Sequence, residues 1–335
     1  MKAYTYPAAW LALITVSQTI AAGAPLAART HRLSATVLAS TADAAAGPIV
    51  VNADDTVREV NVMGKGLPKF PAAPQVAVKR GIVRGYVRDS KGHPLKGAVI
   101  GVRSSEFGGY YSGASAKTDA RGYYEIKAPQ GSGSFYCAGY VADYGDGIAA
   151  FGLHPEDGDT GSFVVTSGLV KNWVLLPYGV ADRAGAQDSP HYAGNYYGGT
   201  IILGWHVDED SANPNPSYVP IGSTIEITLT PTSPLIDGSR GREIVVRRPV
   251  VSEVHNSLYI NNVPVAEYKI SAKLEDGTVL RLKETGMYSS QAFGLSPKQA
   301  TGEATLLLKA GGAKANLATA AHGNWTEFQV MVERP

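Results

Sequence analysis

Paired aromatic side chains in glycine-rich segments are the residues of this sequence best suited to binding. One tyrosine pair follows two glycines, a second pair lies between glycines, and a tryptophan comes soon after: Tyr110, Tyr111, Tyr196, Tyr197 and Trp205. Exposed aromatic rings stack on sugars or anchor a protein partner, because their faces are apolar and their hydroxyls bind polar groups. The sequence therefore predicts these five as ligand-binding residues. The alternative is that the tyrosines cap the ends of a β-sandwich, with hydroxyls bonded to the backbone.

Two acidic loops carry the oxygen ligands that calcium prefers. The first offers five side chains, Asp208, Glu209, Asp210, Asn213 and Asn215, but it lacks the glycine and the final glutamate of an EF-hand. The second is the segment 154–161, with Glu156, Asp157 and Asp159. Solvated turns are the alternative for both loops. The sequence therefore leaves calcium open and predicts no cofactor.

Residues that would form a catalytic centre are not recognisable. The sequence has no H-E-x-x-H, G-x-S-x-G or phosphate-loop motif, and no two of its histidines have metal-ligand spacing. Cys137 lies in a predicted strand beside the aromatic residues Phe135 and Tyr136, with no activating base evident nearby, so we predict a buried, inert thiol. We predict a non-enzymatic protein without catalytic residues. The alternative is a hydrolase with a site between two domains, where His154, His191 or His206 would meet carboxylates.

The elements that position these side chains are predicted to be β-strands. The 335 residues are 44% apolar and 18% charged, which is enough for a packed core, and 38 glycines and 20 prolines favour a turn-rich β protein. The formal charge of +1 argues against a large nucleic-acid-binding surface. A single cysteine excludes an intramolecular disulfide framework.

The first part of the chain is predicted to direct export. Residues 1–28 combine Lys2, an apolar stretch over Ala8–Ile20 and small residues after it, as a signal peptide does. No later apolar run is long enough to span a membrane. We therefore predict a secreted, periplasmic or cell-surface protein. Residues 29–79 are low in complexity and then proline-rich, which predicts a linker or loosely ordered arm; an extra strand added to a later sheet is the alternative.

Alternating apolar and polar residues begin at Gly81 and predict a first β-domain over 80–180. The predicted strands are Ile82–Arg88, Ala98–Arg103, Tyr123–Ala128 and Ser134–Tyr140. A tight turn is expected over Thr118–Gly122, where Asp119 can bond the backbone ahead and Gly122 tolerates a positive φ.

This domain resembles a known family. The matching residues are Gly85, Val87, Asp89, Gly92, Pro94, Leu95, Gly97, Ala98, Val99, Thr118, Asp119, Gly122, Tyr124, Ile126, Gly139 and Tyr140. Their pattern resembles the carboxypeptidase regulatory-like domain, a prealbumin-like (transthyretin-like) β-sandwich. In metallocarboxypeptidases that domain is an appendage without catalytic residues. The resemblance therefore implies a module, not an activity.

The second half of the chain, 181–335, is predicted to be another β-sandwich. Alternating strands are expected at Thr224–Thr230, Arg242–Val251, Tyr268–Leu274 and Thr278–Lys283, with a hairpin at Glu275–Gly277. Such strands bury one face when they stack as two sheets. The predicted fold class is therefore all-β, with two β-sandwich domains after a signal peptide and a flexible linker.

Together these patterns predict an exported binding or structural protein of the cell envelope or extracellular space. Aromatic loops and sheet edges would recognise polysaccharide or an envelope protein, since an open edge accepts a partner strand by main-chain hydrogen bonds. Edges that pair between identical copies would lead to self-association. We predict no nucleic-acid partner.

Overall fold

The computed structural model describes residues 47–105, 111–207, 215–252, 256–286 and 292–335. In chain order the strands are β1 (Ile49–Asn52), β2 (Glu59–Asn61), β3 (Ile82–Asp89), β4 (Val99–Ser105), β5 (Tyr111–Lys117), β6 (Tyr123–Lys127), β7 (Ser132–Tyr144), β8 (Gly147–Gly152), β9 (His154–Pro155), β10 (Phe163–Val164), β11 (Leu169–Val170), β12 (Trp173–Leu175), β13 (Gly199–Trp205), β14 (Thr224–Pro231), β15 (Ile244–Pro249), β16 (Ser257–Val263), β17 (Glu267–Leu274), β18 (Val279–Thr285), β19 (Gly294–Ser296), β20 (Glu303–Leu307) and β21 (Phe328–Glu333).

Helical structure within these ranges is short. It consists of α1 (Arg183–Asp188) and 3₁₀ turns at Val165–Ser167, Ala193–Asn195 and Ala315–Leu317. No helix in the described part of the chain has the length and apolar character needed to cross a bilayer. The predicted all-β fold class is therefore confirmed.

Residues 82–175 fold into two sheets that face each other across an apolar core. One sheet has the order β10–β7–β4–β5 with β8 beside β7, and the other has β11–β3–β12–β9 with β6 beside β3. Alternation along the strands explains the core. Val83 and Val87 of β3 are fully buried, whereas Arg84 and Tyr86 between them are partly exposed. Phe135 of β7 packs edge-on against Trp173 of β12, 5.0 Å between ring centroids. Aromatic side chains thus join the two sheets.

The turn before β6 forms as the sequence predicts. Asp119 accepts a hydrogen bond from the backbone N–H of Tyr123 at 2.9 Å, and Gly122 has a φ of 73°. The Thr118 hydroxyl donates to the carbonyl of Leu95 at 2.6 Å, which ties this turn to the segment before β4. These are residues that carry the resemblance to the carboxypeptidase regulatory-like domain. The family itself remains a prediction.

A second sandwich is built from one continuous path of strands, β1–β15–β14–β17–β18–β21–β13–β16–β2, with β20 beside β17 and β19 beside β20. Only two residue pairs join β17 to β18, so the path folds there into two layers. The predicted hairpin forms this junction, since Asp276 accepts from the N–H of Thr278 at 2.8 Å and Gly277 has a φ of 89°. Buried residues of both layers, such as Ile227 of β14 and Leu203 of β13, belong to one core.

The arm predicted over 29–79 contains two short strands in its described part. Strands β1 and β2 pair in parallel with β15 and β16, so the alternative of added strands holds here. Buried Arg248 donates to the carbonyls of Asp54, Asp55 and Val57, and Arg88 donates to that of Ala72 at 3.0 Å. Guanidinium groups from later strands thus hold a segment whose own composition is weak in strand signals. The predicted signal peptide, 1–28, lies outside the described residues.

The two sandwiches are packed together. The ring of Tyr144 lies 5.8 Å from Phe293 and 6.5 Å from Trp325, and Phe151 lies 5.9 Å from Trp325, measured between centroids. One apolar core runs through both halves, and all described residues fall in one compact unit. The domain boundary near residue 180 stays a prediction.

Candidate functional site

The paired tyrosines after α1 are not exposed, which corrects their predicted role as ligand-stacking residues. Tyr196 is 2% exposed and its hydroxyl donates to the carbonyl of Pro190 at 2.8 Å. Tyr197 is 3% exposed and its hydroxyl lies 3.1 Å from Nδ1 of His154. Burial raises the pKa of Tyr196 to about 12 and also raises the pKa of Tyr197. The hydroxyl of Tyr196 bonds to the backbone, as in the alternative in which the tyrosines cap the sandwich, whereas that of Tyr197 contacts a histidine side chain.

Trp205 also faces inward, so its predicted stacking role is wrong as well. Its side chain is 1% exposed, and the guanidinium carbon of Arg248 lies 5.8 Å from its ring centroid. The reason is the alternation of β13, which places Ile201, Leu203 and Trp205 together in the core. Tyr111 begins β5 opposite Ser105. Tyr110 lies outside the described residues.

The opposite face of β13 is open and forms the best candidate site. Ile202, which is partly exposed, points away from the core, and buried Gly204 lies on the same face, between residues of β16 and β21. Two cross-strand rows result, Gln329–Ile202–Tyr259 and Met331–Gly204–Ser257. Glycine at 204 matters, because a Cβ there would lie 2.5 Å from the sulfur of Met331. The methionine side chain therefore lies across the strand and the surface stays shallow.

A groove of about 320 Å³ runs over these rows, and we call it the neutral groove. The described residues that line it are Ile202, Gly204, Trp205, His206, Asn256, Ser257, Tyr259, Gln329 and Met331. They combine apolar side chains with amide and hydroxyl groups, and none of them is Asp, Glu, Lys or Arg. Such a lining favours an uncharged ligand that has both apolar faces and hydroxyl groups.

Aromatic rings lie at this groove. The exposed His191 ring lies 5.6 Å from the ring of Tyr259, and the exposed His206 ring lies 5.3 Å from that of Tyr218. Burial is the main cause that raises the pKa of Tyr259, so its hydroxyl remains a neutral donor at physiological pH. The sequence analysis did not select Tyr259, and it considered His206 only for the hydrolase alternative. The alternation of β13 and β16 is the signal that would have placed them on an outward face.

The carboxylates of the acidic loop at 154–161 form ion pairs with basic side chains of the protein. The buried Lys171 ammonium lies 2.8 Å from a carboxylate oxygen of Asp157 and 3.6 Å from one of Asp159. Glu156 pairs with Arg88 at 3.2 Å. In the other loop, Asn215 accepts from the N–H of Ser217 at 3.0 Å, and its remaining residues lie outside the described ranges. Across the described residues, no group of three His, Cys, Asp or Glu is arranged to hold a metal ion.

The three histidines of the hydrolase alternative each have a tyrosine as ring neighbour: His154 with Tyr197, His191 with Tyr259, and His206 with Tyr218. In the part of the chain that the structure describes, no hydrogen bond or ion pair joins them to a carboxylate. Burial lowers the pKa of His154 to about 4, so this imidazole is neutral at pH 7. Among the described residues, these three histidines therefore form no acid–base pair with a carboxylate.

Cys137 is buried, as predicted, with 1% of its surface exposed. Burial raises the pKa of its thiol to about 11. The thiolate, which is the reactive form, is therefore scarce at neutral pH. A nucleophilic role has no support from this environment.

Comparison with known proteins gives distant likenesses only. No protein-family model and no curated protein matches the chain. Similar solved structures include the TIE protein of Bacillus anthracis (12% identity, TM-score 0.29, 76% of this chain and 34% of that one) and a streptococcal ancillary pilin (13%, 0.21, 76% and 62%). A C-terminal fragment of the pilus adhesin SpaC from Lactobacillus rhamnosus GG is a third (10%, 0.21, 77% and 98%).

This chain thus spans about a third of the first of these proteins and less than two thirds of the second. At such TM-scores the likeness supports no inference about function. The site must be interpreted from its own geometry.

Proposed function

We propose that this chain is a non-enzymatic binding protein, exported to the cell surface or extracellular space, that holds a neutral polysaccharide in the neutral groove. The observation that carries the proposal is the composition of the groove. Its described lining combines aromatic and aliphatic surface with amides and hydroxyls and contains no charged side chain. Export rests on the predicted signal peptide.

The chemistry of sugars fits this lining. A pyranose ring has an apolar face of C–H groups, which packs on aromatic and aliphatic side chains, here Tyr259, Ile202 and Met331. Its hydroxyls both donate and accept, as the amides of Gln329 and Asn256 do. A shallow lining without charged side chains gives weak but repeated contacts along a chain of sugars, while Glu59 and Lys283 pair with Tyr259 and Met331 at its borders. Because the groove lies on paired strands, these side chains are held in position before the ligand arrives.

The test is binding to soluble neutral polysaccharides such as mannan, xyloglucan and hydroxyethylcellulose, measured by affinity gel electrophoresis. We expect the wild-type chain to be retarded by at least one, and the Tyr259→Ala/Gln329→Ala variant to bind about tenfold more weakly, or about 1.4 kcal/mol. Tyr123→Ala, at a partly exposed tyrosine on β6 of the other sandwich, is the matched control and should bind as wild type. Wild-type mobility that no neutral polysaccharide changes, or equal retardation of wild type and double variant, contradicts the proposal.

Recognition of an envelope protein and self-association remain predictions. Strands β1 and β5 lie at the ends of their sheet paths, and each pairs on one side only among the described strands. Light scattering at increasing protein concentration tests self-association directly.

A further inference from the structure

A second opening lies on the first sandwich, far in sequence from the neutral groove. It is a trough of about 590 Å³ on the outer face of β4, β5 and β7. We call it the lysine trough and define it by the lining residues used below: Val99, Ser115, Lys117, Val141, Lys314 and Asn316. The first four come from the sheet, Asn316 comes from the 3₁₀ turn near the C-terminus, and Lys314 directly precedes that turn. Two distant parts of the chain thus form its walls.

Glycines in the sheet give the trough its depth. Val99 pairs with Lys117 on one side and Gly139 on the other. A Cβ at Gly139 would lie 2.2 Å from the carbonyl oxygen of Ala315, so the 3₁₀ turn rests directly on the strand. The turn therefore stands as a wall beside the floor made by Val99 and Val141.

An exposed aromatic ring borders the trough. Tyr136 is 36% exposed, and its ring lies across Gly101, where a Cβ would be 2.4 Å from Cζ. Gly101 pairs with Ser115, which lines the trough, so the ring lies next to it. Lys117 is two residues further along β5, about 7 Å at the usual rise of a strand.

Charge distinguishes this trough from the neutral groove. Its ionisable lining residues, among those described, are Lys117 and Lys314, and no carboxylate lines it. Both lysines are exposed, and neither forms a salt bridge within the described part of the chain. The nearest acid on the same face of β7, Asp143, lies beyond Val141 and opposite Ile148. An anion that enters the trough therefore meets two free ammonium groups.

We propose that the lysine trough binds a uronate residue of an acidic polysaccharide. One sugar ring packs on Tyr136 while the carboxylate of its neighbour lies between Lys117 and Lys314, with Ser115 and Asn316 available for hydroxyls. The charge of the two lysines selects the carboxylate, and the exposed ring selects a sugar over a free anion. This site is separate from the neutral groove and does not depend on it.

The experiment is calorimetric titration of the full chain with trigalacturonate and with its methyl ester, which has the same sugars without charge. We expect the methyl ester to bind at least tenfold more weakly, and an increase in NaCl from about 50 to 500 mM to weaken trigalacturonate binding, because screening acts on exposed charges. Lys117→Ala/Lys314→Ala should lose tenfold or more in affinity. Lys65→Ala/Lys91→Ala removes the same charge at exposed positions elsewhere and should bind as wild type. Tyr136→Ala should bind several-fold more weakly at unchanged salt dependence.

Three results would overturn the proposal. The first is equal affinity for the acid and its methyl ester, and the second is equal loss in the two lysine pairs, which would indicate a general charge effect. The third is full competition by inorganic phosphate or sulfate at the same concentration, which would indicate an anion site without sugar recognition. A negative result here does not contradict the proposal for the neutral groove, because that proposal is tested with uncharged ligands and a variant at Tyr259.

Discussion

His154 shows how burial sets the chemistry of a single residue. Its imidazole lies against the rings of Tyr197 and Phe70 and is 7% exposed. Protonation would place a charge in this apolar surrounding, so the neutral form is favoured and the pKa falls to about 4. A sequence alone shows a histidine before a proline and does not show which rings surround it.

This burial predicts a pH dependence of stability. The folded-state pKa of about 4 lies below the unfolded value of about 6.5, so the unfolded chain binds the proton first as the pH falls. The contribution of neutral His154 to the free energy of unfolding is therefore fully present above pH 6.5. It falls by about 3 kcal/mol as the pH decreases towards 4. Urea denaturation at pH 7 and pH 5 measures the effect.

The variant His154→Gln should remove most of this pH dependence. The exposed His191→Gln is the control and should keep it. If wild type and His154→Gln lose equal stability between pH 7 and pH 5, His154 is not the group responsible.

The sequence also does not show which aromatic residues are buried, and this explains why Tyr196 and Tyr197 were predicted to be exposed. Glycines beside Tyr196 and Tyr197 are typical of loops, which favoured exposure. In the structure a glycine there permits close packing instead, since a Cβ at Gly198 would lie 2.6 Å from the carbonyl of Val263. Composition does not distinguish these two uses of glycine, because only tertiary contacts decide between them.

At the level of elements, the C-terminal turn depends on positions that accept no side chain. The carbonyl of Ala315 lies over Gly139, and that of His322 lies over Gly152, where a Cβ would be 1.9 Å away. The sheet of β7 and β8 thus presents bare backbone to the segment that covers it. Alanine at either position forces strand and segment apart.

We predict that Gly139→Ala lowers the free energy of unfolding by about 2 to 4 kcal/mol, as expected when a close contact is broken. Limited proteolysis should then cut within 310–325 sooner than in wild type. Gly66→Ala, where a Cβ meets nothing within 4 Å, should change stability by less than about 0.5 kcal/mol. Unchanged stability and proteolysis of Gly139→Ala would show that the segment adapts without cost.

Strands with clear alternation could be located from the sequence, and short strands could not. The predicted spans Thr224–Thr230 and Tyr268–Leu274 agree closely with β14 and β17. Strands β1 and β2 have four and three residues, too few to show a period, and both pair with strands almost 200 residues away. Their position depends on tertiary partners, as does the neutral groove, which combines three strands from distant parts of the chain.

For the whole molecule, the shared core predicts that both sandwiches unfold together. Trp325 contacts Tyr144 and Phe151 of the first sandwich while it lies in the C-terminal region. We expect tryptophan fluorescence and far-ultraviolet circular dichroism to give the same urea midpoint. Trp325→Ala should lower the free energy of unfolding by about 3 kcal/mol and shift both midpoints to lower urea together. Two separate transitions would instead support domains that fold independently, with a boundary near residue 180.

Cys137 gives the molecule a built-in reporter. It is the only thiol in the chain, and it packs with Val99 and Ala315 beneath the C-terminal turn. A maleimide dye therefore finds no target until the turn lifts from the sheet. The labelling rate of the unmodified protein counts those openings, and a ligand seated beside the turn in the lysine trough would slow them.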